Sequence, residues 1–147
     1  MRTSFRNALR GLCFAVRSER NMRVHIAAAF YAFAAAAVTG ASRIEWAAVA
    51  LCVAAVMSAE LFNTAVERLC DTVHPDFSRG IGIAKDVAAG GVLLLAAISV
   101  LVAAVIFADA EKLTRFLDFV REQTVCAALL ALSVPAMVFF VFRRGEK

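Results

Sequence analysis

Four stretches of apolar sequence, about 24–39, 44–66, 87–108 and 124–142, dominate this chain of 147 residues. Each is near or slightly under the roughly 20 residues that carry a helix across the hydrocarbon core of a bilayer. Hydrophobic residues make up 62% of the chain, far above the roughly 45–50% of soluble domains, so the reading is a membrane protein. Inside a bilayer the backbone must satisfy its own hydrogen bonds, which leaves helices or a closed barrel. The Ala, Leu and Val runs lack the period-two alternation of barrel strands, and the expectation is an all-α integral membrane fold. Ala-rich runs at 34–37 and 47–56 offer small faces on which helices approach closely, favouring a compact bundle.

Ahead of the first span, Phe5, Leu9, Leu12 and Val16 recur at three- and four-residue steps, with Arg2, Arg6, Arg10 and Arg17 elsewhere around the helix. That pattern predicts an amphipathic surface helix whose arginines suit anionic headgroups. The same arginines, with Arg20 and Arg23, interrupt any apolar run before His25, so a cleavable signal peptide is not expected. The net charge of +4 reads as a topology signal, because the basic excess sits at the two ends of the chain; no nucleic-acid partner is expected. Basic residues in the N-terminal arm, in the 68–86 region (Arg68, Arg79, Lys85) and in the tail (Arg143, Arg144, Lys147) place both termini and that region in the cytoplasm. The acid-balanced 109–122 stretch, with Leu113, Phe116, Leu117 and Val120 on one face, is expected to lie flat on the outer surface. Cys13, Cys52, Cys70 and Cys126 are scattered with no ligand spacing and read as small apolar fillers.

Against this background the ionisable residues between 60 and 86 stand out. Acidic side chains inside a span are costly, so their default reading is a functional site. At 100° per residue, Glu60, Asn63, Glu67 and Asp71 fall within an arc of roughly 80°, one polar stripe running to the cytoplasmic end of the second span. Three neighbouring carboxylates cannot all ionise in a low-dielectric site unless a cation or a proton relieves the repulsion. Oxygen-only ligands with an open shell suit Mg²⁺, which usually takes one or two carboxylates plus substrate phosphates. The bland alternative is a polar helix–helix seam or a solvated helix end, the latter weighing most for Asp71. Lys85 and Asp86 are expected to open the next helix, the ammonium able to reach a phosphate and the carboxylate able to bind a metal or cap the helix. The nearby Gly80 and Gly82 do not form a P-loop. Glu19 and Arg23 read either as an exposed i,i+4 ion pair or, for Glu19, as a further metal-site carboxylate folded back on Glu67. His25 is taken as an interfacial residue and His74 as solvated.

Glu60-Leu-Phe-Asn63-Thr-Ala-Val-Glu67, then Asp71, then Ala84-Lys85-Asp86-Val-Ala-Ala-Gly90, resembles the signature of the prokaryotic diacylglycerol kinase and undecaprenol kinase family. The match continues upstream in Gly11-Leu12 and in Glu19-Arg20-Asn21-Met22-Arg23-Val24-His25, and that last stretch is similar to the undecaprenol kinase branch. The resemblance covers about residues 4–108 and implies a homotrimeric membrane enzyme of the bacterial inner membrane, with a surface helix and three spans, that transfers the γ-phosphate of Mg-ATP to a lipid alcohol. It implies Glu60 as the base receiving the lipid hydroxyl proton and Glu19 and Glu67 as the Mg²⁺ pair. Asn63, Asp71, Lys85 and Asp86 would shape the nucleotide site, with Asp76 and Ser78 as further loop candidates. The chain divides on this reading into a kinase domain, 1–108, and a 109–147 extension holding the outer amphipathic stretch, a fourth span with Pro135 and a cytoplasmic tail.

Two other classes use the same residues differently. A small oligomeric transporter would line a proton or cation path with the acidic stripe, but leaves Lys85-Asp86 unexplained. A structural protein with a polar seam leaves Glu19 unexplained.

Overall fold

The structure, a computed structural model, describes residues 2–73 and 78–143. Among them are six helices and no strand: α1 (Arg2–Ser18), α2 (Arg20–Val38), α3 (Arg43–Val73), α4 (Arg79–Phe107), α5 (Ala110–Glu122) and α6 (Thr124–Phe142). By length and composition α2, α3, α4 and α6 can each cross a membrane, and the chain is an all-α integral membrane protein. Burial follows the inversion expected of a lipid-facing bundle. Ile44, Leu51, Phe62, Leu93 and Val105 are strongly exposed, while small or slender residues such as Ala15, Ala36, Val49, Val56 and Val92 fill the interior.

The helix ends show how the chain turns. Ser18 bonds its hydroxyl back to the Phe14 carbonyl at 3.0 Å, and Glu19 then takes an extended conformation (φ −97°, ψ 123°) that separates α1 from α2. α2 closes in a Schellman motif: the Ala41 amide reaches the Ala36 carbonyl at 2.9 Å, the Gly40 amide reaches Ala37, and Gly40 has φ 66°. Two residues later Ser42 and Glu45 form a capping box, each side chain accepting from the other's amide, at 2.8 and 3.4 Å. A short tight turn thus joins two spans.

The α3–α4 hairpin is the most extensive helix pairing in the bundle. Its arms are longer than the apolar segments indicate: the region expected as a 68–86 loop is mostly helix, because α3 continues to Val73 and α4 begins at Arg79. Hydropathy detects only the bilayer-crossing part of such helices. Their polar ends continue because each residue after the first turn adds a hydrogen bond, and because Asp71 and Lys85 pair across the hairpin.

α5 is the amphipathic helix expected over 109–122, and Asp109 caps it by accepting from the Glu111 and Lys112 amides at 2.8 and 3.2 Å. Lys112 pairs with Glu45 and donates to the Ile106 carbonyl at 2.8 Å. Arg115 reaches the Thr39 carbonyl at 3.4 Å and fills the space that a Cβ at Gly40 would need. α6 runs through Pro135 without a break in helical assignment. It docks on α2, where the Tyr31 and Ser133 hydroxyls meet at 3.0 Å and Arg20 lies 4.4 Å above the Phe142 ring. All four cysteines are free.

Candidate active site

α3 carries the polar stripe into the end of the bundle where α1, α2 and α4 meet. Glu60, only 1% exposed, is its deepest member. Thr64, one turn on, is also buried and donates to the Glu60 carbonyl at 2.9 Å, leaving the carboxylate uncommitted to its own helix. The Asn63 amide donates to Glu67 Oε1 at 3.1 Å, the i,i+4 pair that the spacing allows. Two buried oxygens are then left without a hydrogen-bond partner among the described residues, Glu60 Oε2 and Asn63 Oδ1. Orphaned acceptors cost about 1–3 kcal/mol each and call for an explanation.

The break between α1 and α2 delivers Glu19 to the same place. Its carboxylate lies 3.9 Å from the Arg68 guanidinium, which in turn sits over the Phe14 ring at 4.8 Å, so the end of α1 is laid against α3. Both Glu19 and Glu67 act electrostatically on Glu60. At the mouth, Lys85 is paired with Asp71 and within electrostatic range of Glu67. Glu19, Glu60, Asn63, Glu67, Asp71 and Lys85 therefore form one cluster drawn from three segments. No group of three or more His, Cys, Asp or Glu able to hold a metal by itself occurs among the described residues.

Several expected placements differ. Lys85 and Asp86 do not open α4 but sit where its second turn passes into its third, because the helix starts at Arg79. Asp86 is exposed and caps nothing; Ser78 holds the N-cap position, without a side-chain capping bond. Asp76 and His74 lie outside the described residues. Arg23 is not half of an exposed pair with Glu19: it is 3% exposed, and its guanidinium donates to the carbonyls of Val16, Arg17, Val141 and Arg143. Periodicity could not show this, since two of its partners come from the far end of the chain.

Two cavities meet beside the cluster. One of about 240 Å³ is lined by Asn21, His25, Glu60 and Asn63 with residues of α4. A second, of about 280 Å³, continues between α2, α3 and α4 along apolar side chains including Ala28, Val53, Met57 and Phe107. His25 and Ala96 line both. The role of Arg68 in holding Glu19 was equally invisible in one sequence, where it reads only as a topology marker.

The chain matches the prokaryotic diacylglycerol kinase family over residues 6–107, a segment that includes every member of the cluster. It is 36% identical over 104 residues to the undecaprenol kinase of Bacillus subtilis (strain 168), covering 71% of this chain and 85% of that protein. It is 40% identical over 100 residues to a diacylglycerol kinase of Synechocystis sp. (strain ATCC 27184 / PCC 6803 / Kazusa), covering 67% of this chain and 57% of that longer protein. No solved structure matches it. A carboxylate cluster built on the buried Glu60 at one end of a four-span bundle, set wholly within the matched segment, thus has its explanation: the chain belongs to the prokaryotic diacylglycerol kinase family and is a membrane lipid kinase.

Proposed function

We propose that this kinase transfers the γ-phosphate of Mg-ATP to a lipid alcohol, with undecaprenol favoured over diacylglycerol, to give undecaprenyl phosphate or phosphatidic acid. The observation that carries the proposal is the buried Glu60, one carboxylate oxygen without a partner among the described residues, lining a cavity shared with Asn21, His25 and Asn63 that adjoins a largely apolar one. An amphiphile fits that junction, its hydroxyl beside Glu60 and its chain between α2, α3 and α4. The likeness over the Glu19 to His25 stretch supports the undecaprenol preference, as does the undecaprenol kinase relative.

In this reading Glu60 accepts the hydroxyl proton as the lipid oxygen attacks the γ-phosphorus. The new O–P bond forms while the bond from that phosphorus to the β–γ bridging oxygen breaks, and ADP departs with the electron pair. Glu19 and Glu67 would hold Mg²⁺, which neutralises phosphate charge when bound; two carboxylates completed by substrate phosphates are its usual mode. Asn63 steadies Glu67, and the Lys85 ammonium, held near the mouth by Asp71, meets the phosphates. Asp86, Ser78 and Asp76 remain nucleotide-side candidates by family position. The nucleotide arrives from the cytoplasm, so this end of the bundle and both termini face inward across the bacterial inner membrane, and the protein works as a homotrimer. Residues 1–108 carry the chemistry and 109–147 form the appended unit.

The test is direct: protein purified into vesicles containing undecaprenol or diacylglycerol, given γ-labelled ATP and Mg²⁺. Label is expected in the lipid fraction, faster with undecaprenol. Unlabelled lipid in both preparations, with ATP intact, would sink the reading.

A further inference from the structure

α6 lies wholly outside the segment that matches the kinase family, residues 6–107, yet its last turn is bonded into the active-site end of the bundle. The link is Arg23. Its Nε donates to the Val141 carbonyl and its Nη2 to the Arg143 carbonyl, both at 3.2 Å, while Nη1 donates to the Val16 and Arg17 carbonyls at 3.1 and 3.0 Å. The last carbonyls of a helix have no partner within it and form the negative end of its dipole. Here the C-terminal ends of α1 and α6 converge on one planar guanidinium, whose fixed fork of N–H groups can serve both at once. Arg20, in the same turn of α2, adds a second hold through the Phe142 ring.

Glu19 sits inside this arrangement. It follows directly on the end of α1 that Arg23 holds, its amide bonds the Ala15 carbonyl at 2.9 Å, and its extended backbone leads into the turn that carries Arg23. Displacing the end of α6 removes two of four acceptors from a buried cation. Arg23 must then shift, and the end of α1 with it.

We propose that Arg23 is a positioning residue through which α6 sets the placement of Glu19, making the appended helix part of the catalytic arrangement. The proposal rests on Glu19 being a Mg²⁺ ligand.

Full-length protein in vesicles is compared with Arg23→Lys, with a deletion of Val138 that turns the end of α6 by about 100°, and with the double variant. Each single variant is expected to raise the Mg²⁺ concentration for half-maximal activity about tenfold or more, the range for groups that orient a metal ligand, with KM for the lipid alcohol unchanged. The double variant should be no worse than the more damaging single one, because both act through one contact. Hydrogen exchange at the Glu19 and Arg20 amides should speed up in all three, whether or not they phosphorylate lipid. An unchanged Mg²⁺ requirement after the Val138 deletion, additive losses, or unaltered exchange would each overturn the proposal. If the deletion does not fold, Phe142→Ala loosens the same end and must move the same readouts. A Glu19→Gln protein with normal Mg²⁺ dependence would instead refute the metal role, while the exchange data still judged the brace.

Discussion

The two ends of the bundle handle polar groups in opposite ways. At the end holding the α2–α3 turn and α5, charge is closed off. Lys112 answers Glu45 and a free carbonyl, Arg115 answers Thr39 and Glu111, and Ser42 and Glu45 cap each other. At the other end Glu60 and Asn63 keep buried oxygens without partners among the described residues, and Glu19 and Glu67 lie within electrostatic range of Glu60. A fold that completes its hydrogen bonds at one end and leaves them open at the other separates stability from chemistry. Behind the open end, Arg23 ties the C-terminal ends of α1 and α6 together.

The sharpest way to break this contrast is Glu60→Gln. It should lower kcat by roughly 10²–10⁴-fold, the usual contribution of a positioned base, while the thermal unfolding temperature stays equal or rises. Near-normal turnover would remove Glu60 from the chemistry. Next, Glu67→Ala and Glu19→Ala should raise the Mg²⁺ needed for half-maximal activity by about tenfold or more, judged by titration at saturating ATP. A smaller effect is expected of Lys85→Met: a higher KM for ATP, with stability barely altered because the Asp71 pair is largely exposed. Last, Lys112→Met at the closed end should lower the unfolding temperature by a few degrees and leave kcat and both KM values alone. Loss of activity there at wild-type stability would mean that the two ends are not separable.

Much of the bundle is legible from the residues alone, since a run of apolar residues long enough to span and an arginine-studded amphipathic helix each have one economical solution in lipid. The stripe from Glu60 to Asp71 is legible for the same reason: it needs only the pitch of one helix. What could not be read are relations between elements. Nothing at Asp71 announces that Lys85 will return beside it, because that depends on how far two helices outlast their apolar cores. Arg23 looked like half of a local pair for want of any signal that the carbonyls of Val141 and Arg143 come back to meet it. The resemblance to a kinase family identified the chemistry, but it stops before the helix that Arg23 engages.

Gly40 carries a consequence for the order in which the molecule is made. Its left-handed backbone closes the α2–α3 turn through the Gly40 and Ala41 amides, to which Arg115 later adds a bond at Thr39, and its missing side chain leaves the recess that Arg115 enters. During synthesis the first hairpin can therefore finish before α5 leaves the ribosome, and the later helices dock onto a surface already shaped for them. A methyl group at position 40 would strain that turn and block the recess, so the damage should surface first in closing the hairpin and again when the C-terminal helices seat.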